Sequence, residues 1–216
     1  MHKVTDLNAF PYSSVGLLVF KMKYEDGRTE DYTGTAFIVS SKGIFTAAHN
    51  LYDPDEKSIT IEAYFHLNYQ GEVKVWNLML GKDGVTLPDQ WLDDEDENYD
   101  MAVCVIEHSS FREIASSLIL PVYDKLIKAG QKFNAKAIGF QEAEEGMYYD
   151  DGEAIALEEG IVLSSNMVVG ASGGPWLNTS NNIVYGSTRT AEGEDIASPN
   201  NGVSAKELIE WLNKQP

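Results

Sequence analysis

Strand patterns dominate the chain. LLVFKMKY (17–24) is a short β-rich run closed by the turn signal Glu25-Asp26-Gly27. TGTAFIVS (33–40) and GIFTAAH (43–49) flank Ser41-Lys42 and read as a hairpin. ITIEAYF (59–65) sets Ile59, Ile61, Ala63 and Phe65 on one face. After a segment ending in Gln70-Gly71, EVKVWNLML (72–80) sets Val73, Val75, Asn77 and Met79 on one face, which is then mostly apolar. DMAVCVIE (100–107) is almost continuously apolar, as expected of a strand buried on both sides. A second set follows: KFNAKAIGF (132–140), EAIALEEGIVL (153–163), PWLN (175–178) and NIVYGSTR (182–189). Many short strands with turn residues between them predict an all-β barrel or sandwich.

The segment from His108 to Gly130 is poorer in strand signal and is expected to connect two halves, residues 1–115 and 116–216. The end, SAKELIEWLNKQ, reads as a helix. Ser204 and Glu207 have capping-box spacing. Ala205, Leu208, Ile209 and Leu212 form an apolar stripe expected to pack on the second half.

Composition narrows this picture. With 216 residues and 43% hydrophobic side chains, the chain fits one large all-β domain or two small ones around a real core. The one cysteine, Cys104, excludes an intrachain disulfide, so the fold must stand on packing. The net charge of −18 disfavours nucleic acid and anionic membrane as partners; it reads first as a solubilising surface, which would also draw in basic peptides from a distance. No stretch approaches the ~20 apolar residues of a membrane span. The start, MHKVTDLNAFPYSSVGLLVF, is broken by Pro11, Tyr12, Ser13 and Ser14 and does not read as a leader. A cytoplasmic protein and a secreted one whose leader is absent from this chain both remain open. The acidic stretches 93–97 and 142–153 lack the ordered spacing of a calcium loop and read as solvated loops.

The candidate chemistry centres on GASGGPWL (170–177). A serine hydroxyl is a poor nucleophile at neutral pH. It needs a base to take its proton, and the base needs an acid to fix its tautomer. Four histidines are present: His2, His49, His66 and His108. His49 ends Thr46-Ala47-Ala48-His49, where two small residues allow tight packing behind the ring. Asp100, in NYDMAV, stands at the mouth of the most apolar strand, where a carboxylate needs a partner. Ser172 lies among Gly170, Gly173 and Gly174, whose backbone freedom can turn N–H groups of the turn toward one point. Gly-x-Ser-x-Gly also occurs in α/β-hydrolases, but there the serine opens a helix and the histidine comes last. Here Pro175 follows, a strand continues, and the histidine comes first.

TAAH, DMAV and GASGGPW, in the order His, Asp, Ser, resemble the trypsin-like (chymotrypsin-fold) serine peptidases, nearest the bacterial branch related to glutamyl endopeptidases. The resemblance spans roughly residues 12 to 214. It implies two six-stranded antiparallel β-barrels with a C-terminal α-helix and the active site between the barrels. His49 and Asp100 would come from the first barrel and Ser172 from the second. The N–H groups of Gly170 and Ser172 would hold the oxyanion. No cofactor or metal is implied, the partner is a protein or peptide substrate, and a monomer is expected.

Three features depart from the family or qualify it. Ala171 replaces the aspartate that, in animal digestive relatives, pairs with a newly cut N-terminal amine, so activation by that route is not expected. Asn166 stands six residues before the nucleophile, where trypsin-type enzymes carry an aspartate, so a preference for Lys or Arg at P1 is not supported. The strand GSTRT (186–190), with Ser187, Thr188 and Arg189, is expected to wall the substrate site. Arg189 would lend itself to a polar or acidic P1 if it faced inward. Two rivals to an active endopeptidase are a catalytically silent binding module and a regulatory protease domain directed at one partner.

Overall fold

The turn signals break the chain into short antiparallel strands in two sheets. The computed structural model describes residues 1–125, 127–141, 144–157, 160–164, 170–192, 195–198 and 202–216. Its strands are β1 (His2–Lys3), β2 (Val15–Tyr24), β3 (Thr29–Ser40), β4 (Gly43–Thr46), β5 (Tyr52–Asp53), β6 (Ser58–Tyr69), β7 (Glu72–Asn77) and β8 (Val85–Thr86). There follow β9 (Ala102–Val105), β10 (Lys132–Gln141), β11 (Glu144–Leu157), β12 (Gly160–Ser164), β13 (Pro175–Asn178), β14 (Ile183–Ser187), β15 (Thr190–Glu192) and β16 (Asp195–Ser198). The α-helices are α1 (Asp89–Asp94), α2 (Ser109–Ala115) and α3 (Gly202–Lys214).

The first sheet runs β5-β6-β2-β3-β4-β9-β8, with β7 on β6. The second runs β14-β13-β10-β11-β12-β16-β15, with β1 on β11. Without the two-residue strands β5 and β8, the first sheet has the six strands expected of a barrel. Without the short β1 and β15, so does the second. The boundary expected between residues 115 and 116 falls at the end of α2, between the two sets of strands. β1 crosses that division: His2 pairs with Tyr149 and Lys3 with Tyr148.

β9 is buried throughout, as its apolar run requires, and Cys104 at its centre is fully enclosed. The phases of β6 and β7 differ from the expectation. Lys21 of β2 pairs with Glu62 while Met22 pairs with Thr60, so Ile61 is an extra residue and forms a bulge. The bulge swaps the faces of β6. Ala63, Phe65 and Leu67 point into the core, Ser58 and Thr60 are also buried, and Ile59 and Ile61 are exposed. In β7, Trp76 takes the inward position and Val73 and Val75 face out. The indole buries a large apolar surface and packs on Phe65 and Phe111.

Three further segments correct the sequence reading. Most of the acidic stretch 142–153 is strand rather than loop: β11 pairs with β10, and Met147, Tyr148 and Asp150 are buried. The connecting segment contains α2, which places Phe111 and Ala115 inward one helical turn apart and is capped by His108, whose Nδ1 accepts from Ser110 N–H at 3.2 Å. The last helix begins at Gly202, so Ser204 lies inside its first turn and is not the cap. The apolar stripe of α3 is present, but it does not serve the second sheet alone. Ala205, Leu208 and Leu212 join Phe37, Phe45, Val103, Ile138 and Leu177 in one core shared by both sheets. The helix end is tied to the first sheet, where the Ser40 hydroxyl donates to Asn213 Oδ1 at 2.6 Å. No helix among the described residues is long and apolar enough to cross a membrane.

Candidate active site

β4 ends at Thr46, the chain stays extended at Ala47, and a short 3-10 turn covers Ala48–Asn50. Ala47 and Ala48 are fully buried, and the His49 side chain keeps 25% of its surface exposed. Asp100 sits where the 3-10 turn Glu97–Tyr99 runs into β9. Its carboxylate is 1% exposed and grips His49 with both oxygens: Oδ1 accepts from the His49 backbone N–H at 2.9 Å, and Oδ2 lies 2.7 Å from Nδ1. An ionised carboxylate can only accept, so this contact puts the ring proton on Nδ1 and leaves Nε2 as a base. Burial of the ring favours its neutral form. The charge and hydrogen bond of Asp100, with the charge of Asp53, outweigh this and hold His49 above the ordinary imidazole value of 6.5.

The serine lies in a tight turn between Gly170 and Pro175, the first residue of β13. Gly173 has φ +86°, and a Cβ there would lie 2.3 Å from both the Thr35 carbonyl oxygen and Thr46 Oγ1, so only glycine fits. The turn is held from the other sheet. Thr35 N–H donates to the Ser172 carbonyl at 2.8 Å, and Thr35 Oγ1 donates to the Gly170 carbonyl at 2.9 Å. Asn50 Nδ2 donates to the Ser172 carbonyl at 3.2 Å and to Thr46 Oγ1 at 3.0 Å. Thr46 Oγ1 in turn donates to the Thr35 carbonyl at 2.8 Å. The bulge in β6 turns Thr60 inward, where its hydroxyl donates to the Asn50 carbonyl at 2.7 Å. Two carbonyls of the turn thus point at the first sheet. Ala171 is fully buried, its methyl group packed in the second core with Ala137 and Trp176.

His49, Ser172 and Gly170 line one cavity of about 440 Å³, whose remaining described walls come from the first sheet and the loop after His49. The structure therefore brings His49, Asp100, Ser172 and Gly170 together. Ser187 and Thr188 are each 1% exposed. The Thr188 hydroxyl accepts from Trp176 Nε1 at 3.0 Å, so its side chain faces the interior of the second barrel and not a substrate. Arg189 is neither solvated nor turned into the cavity. Its guanidinium lies 3.1 Å from Glu97 Oε2 and is 11% exposed, joining the second half to the turn that carries Asp100. Asn166 lies outside the described residues. Sequence reasoning missed Thr35, Thr46, Asn50, Asp53 and Glu97. Asn50 directly follows TAAH and Thr35 lies in the first strand of the hairpin before it, so their proximity in the chain was the available signal.

The sequence profile of the trypsin-like peptidase domain matches residues 34–186, and the chain belongs to that family of serine peptidases. No curated protein sequence matches the chain. Among solved structures, the protease Anisep from Arthrobacter nicotinovorans superposes with a TM-score of 0.75 at 18% identity, covering 94% of this chain and 96% of that one. A thermostable serine protease, AL20, from an extremophilic microorganism gives 0.75 at 18% identity, with 94% and 98% covered. A Glu endopeptidase gives 0.74 at 13% identity, with 98% and 94% covered. At these identities the likeness is one of fold, the chymotrypsin-like pair of barrels.

Proposed function

We propose that the chain is an active serine endopeptidase. Ser172 Oγ attacks the scissile carbonyl while His49 Nε2 takes its proton. Asp100 holds the Nδ1–H tautomer and stabilises the imidazolium that forms. The N–H groups of Gly170 and Ser172 meet the developing oxyanion, a role favoured by the anchoring of both their carbonyls on Thr35 and Asn50. His49 then gives its proton to the leaving amine, an acyl-enzyme on Ser172 remains, and water activated by His49 releases it. The observation that carries the reading is the two-oxygen grip of a buried Asp100 on a histidine that shares a cavity with Ser172.

The backbone of residues 187–189 would run beside the acyl part of the substrate. Arg189, committed to Glu97, supports the Asp100 turn and is a poor anchor for an acidic P1 residue. The packing of Ala171 supports folding directly into the active form, without a new N-terminus paired at that position. A fluorophosphonate probe tests the proposal: the native protein is labelled at pH 8 and Ser172→Ala is not. Absence of labelling in the native protein favours the silent binding module.

A further inference from the structure

Among the described residues, the cavity at His49 and Ser172 is walled by the first sheet, the loop after His49 and the serine turn. Among the described residues it takes no wall from 187–189, expected to run beside the acyl half of a substrate. It opens instead between the β2–β3 hairpin and the loop after His49. Resting on the serine-peptidase reading, this is the side of the leaving amine, because the general acid stands between nucleophile and leaving group.

The chemistry of its walls is specific. Met22, Tyr24 and Tyr32 form an apolar, aromatic side. The basic side chain lining it, Arg28, is already matched: its guanidinium stacks 3.8 Å above the Tyr24 ring, bonds Glu30, and lies 3.7 Å from Asp26. Tyr24 and Tyr32 share a hydrogen bond, and Tyr32 also donates to Glu30, so this wall is fixed. The same cavity is lined by Asp53 and Glu56, held in one turn by Glu56 N–H donating to Asp53 Oδ1 at 3.0 Å. Neither carboxylate forms an ion pair with a lysine or arginine among the described residues. Aromatic side chains and carboxylates without a Lys or Arg partner in one cavity suit a long side chain with an apolar stem and a cationic tip.

We propose that this cavity binds the first residues on the leaving side of the scissile bond and selects lysine or arginine there, through Asp53 and Glu56. Three quenched peptides, identical up to the scissile bond and carrying Lys, Gln or Glu at the two positions after it, test this. At low salt kcat/KM should fall in the order Lys, Gln, Glu, with about tenfold between the ends, since each exposed pair contributes modestly and Glu adds repulsion. The spread should shrink near 1 M salt, where the screening length is about 3 Å. It should collapse in the Asp53→Asn/Glu56→Gln double variant; reading the ratio cancels any general change in activity.

Cleavage and probe labelling with no order among the three peptides, or an order that survives the double variant, overturns the proposal and leaves the peptidase reading intact. Failure of both labelling and cleavage overturns the peptidase reading. Binding of the Lys and Glu peptides to Ser172→Ala, followed by fluorescence anisotropy, then decides the charge preference alone: equal affinities overturn it.

Discussion

The hydroxyl of Thr35, on a strand of the first sheet, donates a 2.9 Å hydrogen bond to the carbonyl of Gly170 in the nucleophile turn of the second. The same oxygen accepts from Phe140 N–H at 2.9 Å. One buried threonine thus fixes the position of the turn against two strands from different sheets. Thr35→Val keeps the shape but leaves the Gly170 carbonyl and the Phe140 N–H without this partner. Urea unfolding should show a loss of about 2 kcal/mol. Probe labelling under fully folded conditions should slow as well, because the proposed oxyanion donors lose their alignment.

In the proposed mechanism His49 sets the acid limb of activity. Its neutral form is the base, and its pKa is raised, so activity should fall as pH drops through a value above 6.5. The effect on stability has the opposite sign. Protonated His49 is favoured in the folded state, so its contribution is full below the unfolded value near 6.5 and disappears as pH rises through the folded one. Asp100→Asn removes the main cause of the raised value. It should move the acid limb to lower pH and cut kcat by about 10⁴-fold through the wrong tautomer. A pH–rate profile of both proteins checks this.

Ala171 belongs to the core of the second barrel. Ala171→Asp would place a carboxylate among Ala137 and Trp176. Denaturant titration should show a loss of about 3–5 kcal/mol, the usual cost of an unmatched buried charge. A variant as stable as the parent would mean that an amine reaches this position after all.

Arg189 and Glu97 bridge the halves behind Asp100. Glu97 is 65% exposed, so the pair is expected to couple weakly. A double-mutant cycle of Arg189→Ala and Glu97→Gln, read by urea unfolding, should give about 1 kcal/mol or less. A substrate-binding Arg189 would instead show its effect in KM for peptides with an acidic P1.

The parts of the site that were legible in the sequence are the ones whose chemistry demands particular residue types. TAAH, NYDMAV and GASGGPW each pair a reactive side chain with a backbone requirement, and together they name His49, Asp100 and Ser172. The supporting shell was hidden, because a threonine in a strand pattern or an asparagine in the turn after one looks the same whether it faces solvent or ties two sheets together. The fold followed a similar line. β9 was readable because an apolar run with no gaps has one place to go. The phase of β6 was not, because a single extra residue at Ile61 swaps its faces and leaves no composition signal. β11 was obscured by its own charge: alternate acidic side chains reach solvent while Met147 and Asp150 turn in. The helix α3 showed its stripe but not its destination, since apolar periodicity records that a face is covered and not by what.

The contacts of Thr35 and Asn50 make competence a property of docking. A chain with one barrel formed and the other still open already has its histidine clamped or its serine turn begun, but the turn's carbonyls have nothing to hold them. Nascent or half-folded molecules would therefore be harmless to their neighbours. On the proposed mechanism, hydrolytic power would arrive in one step, when the two halves close on each other.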